Sequence, residues 1–283
     1  MIKKAVLACL MMLAALSSHA APPPPQGIEL AIMPYLPARI LLEHYKPLRV
    51  HLERSLRRPV TLFTAPDYQT FIARTQRREY AFVVTVAHAA RLAELEAGYV
   101  PMLRPAMDTH AIVLVARDGP IRSIADLRGK RVAIPDTLAI VTQLGAEVLR
   151  SHGLKPGEDV TLYTAATHST AMHAVLAGEA EAAVISDRAF IAAASDLKQE
   201  LRTIATSGSG VPGVVYLASP AVPQTLVAEI TQAILGFANE TPNGRQFLES
   251  LGYDALRALK PDELAVVDGY VAPLKAALRR FGR

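Results

Sequence analysis

Short apolar runs alternate with amphipathic helical stretches along this chain, and the alternation occurs twice. No other feature narrows the available folds as far. Ile28 to Met33 (IELAIM) is an apolar run stopped by Pro34, which reads as a buried strand. Leu42, Tyr45, Leu48, Leu52 and Leu56 then recur at helical spacing, so Leu41 to Leu56 is expected to be an amphipathic helix. Pro59 to Phe63 reads as the second strand, Asp67 to Arg77 as a helix with Tyr68, Phe71 and Ile72 inward, and Tyr80 to Val86 as the third strand.

The second round opens at Ala111 to Ala116 (AIVLVA), a run suited to a strand covered on both faces. Ser123 and Asp126 have the spacing of a capping box for a short helix, and Gly129 is placed to end it. Strand Arg131 to Ile134, helix Leu138 to Ser151, strand Val160 to Tyr163, helix Ser169 to Ala177 and strand Ala182 to Ile185 follow. Thr203 to Thr206 and Val214 to Ala218 add strands, and Pro223 to Asn239 has a helical period. Thr241-Pro242 and Pro261-Asp262 mark helix starts, with Gly252 a stop between them. The expectation is two α/β lobes, each an open sheet, with a helical tail packed back on the first and a ligand cleft between them, where strand C-termini open into loops.

Residues 1–20 carry Lys3 and Lys4, an apolar run from Ala5 to Leu16 and the small-residue ending Ser18-His19-Ala20. That is the pattern of a secretory signal peptide cleaved after Ala20, its core shorter than the roughly 18 residues a bilayer span needs. A Pro-rich spacer occupies residues 21–27. The single cysteine, Cys9, lies in the leader, so the exported chain has no disulfide, thiolate metal site or cysteine nucleophile. Loss of Lys3 and Lys4 leaves 28 basic against 26 acidic residues, interleaved along the chain. Such a balance argues against a nucleic-acid partner.

Motifs for catalysis are missing: there is no G-x-S-x-G, no phosphate-binding G-x-x-x-x-G-K-[ST] and no H-E-x-x-H. His168 and His173 stand five apart, which does not bring them to one helix face, so no metal is expected. No cofactor is expected, and the chain reads as a binding protein rather than an enzyme.

Several segments together resemble a known family. They are Tyr45-Lys46-Pro47-Leu48 with Leu52-Glu53, Pro59-Val60, Ala65-Pro66-Asp67-Tyr68 with Phe71-Ile72, the Ser123 to Ala133 element, Thr167-His168 with Ala174-Val175 and Gly178, and Thr241-Pro242 with Phe247-Leu248. This set is similar to the phosphate/phosphite/phosphonate-binding proteins of ABC transporters. The resemblance implies a two-lobed type 2 periplasmic binding protein, a Venus flytrap, that closes on a small solute and presents it to a membrane permease. Lobe one is then residues 28–108 with 212–283, lobe two residues 109–211, and the protein a periplasmic monomer. A sensor kinase or related membrane receptor is the alternative partner.

The resemblance also implies an anion held by a Ser-Thr-Ser-Gly run at a helix N-terminus, where hydroxyls, free N–H groups and the helix dipole all favour an oxyanion. Here that stretch is Asp136-Thr137-Leu138-Ala139-Ile140-Val141-Thr142, with apolar side chains where hydroxyls are expected. A ligand altered from phosphonate, either another oxyanion or a less charged solute, is the consequence.

Tyr68 and His168 stand where the resemblance places ligand contacts; the alternatives are a packed ring for Tyr68 and a capping role for His168. Thr85 and His88 follow the third strand and are candidates by position, against exposure or helix capping. His110 and Thr137 are candidates on the same ground, against roles in a hinge or a turn. Asp187 reads as a helix cap and Arg39 as a solvated cation.

Overall fold

The structure is a computed structural model that describes residues 27–208 and 210–281. The expected leader with Cys9, and the spacer as far as residue 26, lie outside the described residues. The first lobe opens with β1 (Ile28–Ile32), α1 (Ala38–Leu56), β2 (Val60–Phe63), α2 (Tyr68–Gln76), β3 (Phe82–Val86), α3 (Ala87–Ala97) and β4 (Val100–Pro105). The chain leaves through β5 (Asp108–Thr109) and builds the second lobe from β6 (Ala111–Ala116), β7 (Arg131–Ile134), α4 (Ile140–Ser151), β8 (Thr161–Thr164), α5 (His168–Leu176), β9 (Ala182–Ser186), α6 (Asp187–Ala192), α7 (Ser195–Glu200) and β10 (Leu201–Thr206). It returns through β11 (Val211–Pro212) to β12 (Val214–Ala218), α8 (Gln224–Glu240), α9 (Pro242–Ser250), β13 (Leu256–Ala258) and α10 (Asp268–Phe281).

The first sheet runs β13-β4-β12-β3-β1-β2 and the second β10-β6-β9-β7-β8. Parallel pairing joins β1 to β2 and β3, and β7 to β8 and β9, because each crossover carries a helix. In the second lobe β6 pairs antiparallel with β9 and with β10, and β12, added after the chain returns, pairs antiparallel with β3. β5 and β11 pair with each other as a two-stranded ribbon between the sheets.

α1 shows how packing overrides a local fault. Pro47 lies inside the helix and withholds an N–H, at a cost of about 3 kcal/mol. Leu41, Tyr45, Leu48 and Leu52 repeat at helical spacing and are all buried, each contributing roughly 1.5–3 kcal/mol. Four such anchors outweigh one lost bond. The Tyr45 ring meets Phe247 edge-on at a centroid distance of 5.2 Å, which fixes α9 against α1. In the second lobe Gly145 lets α4 lie close on β9: a Cβ there would sit 3.0 Å from a Val184 methyl.

Several expected boundaries shift. The helix expected from Leu138 starts at Ile140, because the Asp136 carboxylate accepts the Leu138 N–H at 2.7 Å and holds a turn there. Pro261-Asp262 opens a 3-10 turn, Glu263–Val267, before α10 begins. Thr85 belongs to β3 itself and His88 to α3, a helix whose inner face is mostly alanine and so carries a weak apolar period.

One apolar core crosses between the lobes. Met33, Tyr68 and Ala87 of the first share it with Leu138, Ile140 and Val141 of the second. His88 Nε2 donates across the boundary to the Leu138 carbonyl at 3.0 Å, and the Tyr270 hydroxyl donates to the Glu147 carboxylate at 3.0 Å. Among the described residues no helix is long and apolar enough to cross a membrane.

Candidate ligand cleft

A cleft of about 730 Å³ opens where the two lobes face each other. Tyr35, Ile40, His44 and Tyr68 line it from the first lobe, and Ile140, His168 and Arg188 are among those lining it from the second. Tyr68, Ile140 and His168 are the first residues of α2, α4 and α5, so three helices begin at the cavity. Two of those starts are capped by side chains: Asp67 accepts the Thr70 N–H at 2.7 Å, and the Thr167 hydroxyl accepts the Thr170 N–H at 3.0 Å. Ala139, at the cap position before α4, supplies no side-chain cap.

Around α4 the chemistry is apolar or acidic. Ala139, Ile140 and Val141 all line the cleft. The Asp136 carboxyl beside them is pushed up by burial, and the nearby Asp67 charge adds to that shift. Burial likewise raises the Tyr68 phenol, helped by the Asp136 charge, so it stays protonated and able to donate. Desolvation lowers His168 to about 4, so its ring is neutral at ordinary pH; its Nδ1 accepts the Ser186 N–H at 3.4 Å.

Of the candidates read from sequence, Tyr68 and His168 therefore line one cavity from opposite lobes. The other four lie outside its lining. Thr85 is buried in β3 and donates to Met33 Sδ at 3.3 Å. His88 is buried under α3 and held near 4 by desolvation. The His110 N–H donates to the Asp187 carboxylate at 3.0 Å, and Thr137 is exposed on the turn before α4, its carbonyl accepting from Gln143 at 3.4 Å. Asp187 is the first residue of α6, and the cap is the Ser186 hydroxyl, which accepts the Ala189 N–H at 2.9 Å.

Sequence reasoning missed Arg188, His44 and Tyr253, all in the lining. Arg188 follows the C-terminal end of β9, so the positional argument applied to Thr85 and His88 points equally to it. His44 and Tyr253 carry no comparable signal.

A family described as the periplasmic phosphonate substrate-binding proteins of ABC transporters matches residues 30–264. The chain belongs to that family. Phosphonate-binding family proteins take up small molecules and deliver them to a membrane permease, a role of binding rather than catalysis. Solved structures agree on the fold. A phosphonate-binding protein of Prochlorococcus marinus, PhnD1, in complex with methylphosphonate, superposes with a TM-score of 0.78 at 10% identity, covering 89% of this chain and 99% of that one. The binding component of a Pseudomonas aeruginosa phosphonate transporter gives 0.72 at 14% identity, covering 90% and 99%. The alkanesulfonate-binding protein SsuA of Xanthomonas axonopodis, bound to MOPS, gives 0.63 at 18% identity, covering 90% and 94%. The fold of this phosphonate-binding family member is thus the two-lobed type 2 periplasmic binding protein fold.

Proposed function

We propose that this family member is an exported receptor of an ABC uptake system whose ligand has an apolar body and little net charge, so that phosphonate and phosphate bind weakly. One observation carries the reading: Ala139, Ile140 and Val141 line the cleft at the start of α4, without hydroxyl donors. Three helix starts still offer N–H groups, yet an oxyanion seated there would be desolvated by the β-branched Ile140 and Val141 side chains. A solute with an apolar body gains from the same walls.

Tyr68 and His168 serve as polar contacts from the two lobes, one a phenol donor and the other a neutral imidazole. A ligand that touches both lobes only when they are closed stabilises the closed state by its differential affinity, and the closed form is what a permease reads.

Thermal unfolding of the exported chain against phosphate, phosphite, methylphosphonate, sulfate and a set of neutral, apolar-bodied metabolites tests this. Ligand at about 100 times its Kd adds roughly 2.7 kcal/mol, a rise of several degrees. The expected rise comes with low-charge solutes alone. A rise with methylphosphonate or phosphate overturns the ligand reading. Silence across the panel overturns the uptake reading and favours a chain that docks on a membrane receptor.

A further inference from the structure

Arg188 is the one lysine or arginine among the described residues lining the cleft. It is already ion-paired within the chain. Its Nη2 donates to the Asp187 carboxylate at 2.6 Å, and the two side chains are only 13% and 15% exposed. The same carboxylate accepts the backbone N–H of Arg188 at 2.8 Å and of His110 at 3.0 Å, and the His110 ring lies 3.5 Å away. Asp187 is thus tied to the crossover ribbon and to α6 at once, with its charge turned on the cleft's cation. Arg188 Nε is buried without a partner, so the guanidinium retains unused donor capacity.

We propose that Asp187 sets the charge preference of this cleft, by neutralising Arg188 and so excluding multiply charged oxyanions. The inference rests on the low-charge ligand reading above and names the residue that enforces it. An incoming dianion has to compete with a carboxylate on the neighbouring residue, already desolvated and hydrogen-bonded, for the one cation present. Asp196, which also lines the cleft, adds a further negative charge. Arg104, which lies near the lining residue Tyr253, is outside the lining itself and is paired with Asp108 and Glu263. A neutral or weakly polar solute meets no such competition, since it asks only for a hydrogen bond.

Asp187→Asn removes the charge and, with it, the acceptor that holds Arg188 Nη2. The Asn oxygen still accepts the two backbone N–H groups, while the atom facing Arg188 no longer carries a negative charge. Calorimetric titration of the full exported chain with sulfate and with methylphosphonate, at low ionic strength, is the readout. Asp187→Asn is expected to bind both at least about ten-fold more tightly than the wild-type chain. The double variant Asp187→Asn, Arg188→Gln is expected to lose that gain. Arg188→Gln alone leaves Asp187 charged and is expected to bind butylammonium more tightly than the wild-type chain, which keeps the proposal testable if Asp187→Asn fails to fold. A cooperatively folded Asp187→Asn with unchanged anion affinity, or an Arg188→Gln with unchanged butylammonium affinity, overturns the role of Asp187. Tight methylphosphonate binding by the wild-type chain overturns instead the low-charge reading on which it rests.

Discussion

Gly252 lies against the backbone of Arg188, so close that a Cβ built on the glycine would stand 2.9 Å from the Arg188 carbonyl carbon. The contact joins the turn after α9 in the first lobe to the start of α6 in the second. Gly252 also has φ +78°, a conformation that costs an L-residue about 1–2 kcal/mol.

Gly252→Ala therefore acts twice. It is expected to lower stability by about 2 kcal/mol or more and to wedge the lobes apart. Thermal unfolding reads the first effect, and a larger radius of gyration in small-angle scattering reads the second. An Ala variant with wild-type compactness would show that the contact does not govern closure.

His88 supplies a pH dependence. Burial holds it at about 4, below its ordinary 6.5, so between those values the unfolded chain binds a proton that the folded chain refuses. Stability is full above 6.5 and falls as pH drops towards 4. For His88 alone the loss from about pH 7 to about pH 5 is on the order of 2 kcal/mol. His88→Gln keeps a donor for the Leu138 carbonyl and is expected to flatten the profile of urea unfolding against pH.

The Arg104 guanidinium, only 3% exposed, is held by Asp108 on one side and Glu263 at 2.9 Å on the other. Arg257 beside Glu263 keeps that carboxyl down at about 2. Glu263→Ala leaves a buried cation without one of its two carboxylate partners, and a loss of about 3 kcal/mol is expected in chemical unfolding. Because the Glu263 carboxyl is depressed, its contribution is present above the ordinary carboxylate range and disappears only as pH falls through about 2.

Ala139 occupies the cap position of α4 with extended φ and ψ and no side-chain acceptor. Ala139→Ser is expected to supply one and to raise stability by about 1 kcal/mol, or a few degrees in Tm. A fall in Tm would mean that burial of the hydroxyl outweighs the cap.

Much of the fold was legible because its signals are local. The stripe from Leu42 to Leu56, the Asp126 carboxylate accepting the Ser123 N–H at 2.8 Å, and the Thr241 hydroxyl accepting the Gly244 N–H at 2.9 Å all act within a turn or two of chain. α3 was missed because alanine packs well without standing out from its neighbours. In the cleft, Tyr68 and His168 were legible through the family resemblance, whereas the candidates chosen by position alone, Thr85, His88, His110 and Thr137, lie outside the lining. Arg188 reads locally as a solvated cation, and only the tertiary fold turns it into the cleft and against Asp187.

The sequence by itself determined most of the strands and helices, though not α3, β4, α6, α7 or β13, and that they form two α/β units. Hydrophobic period, caps and turn residues are short-range, so one stretch of chain carries all the information needed. Only the tertiary structure decided what the cleft is made of. His88 meets Leu138 across 50 residues, and His110 meets Asp187 across 77. Whether Arg188 presents a charge to a ligand depends on which way the Asp187 carboxylate turns. That direction is held by the His110 N–H, which reaches the carboxylate at 3.0 Å from 77 residues away in the chain and is encoded in no local pattern.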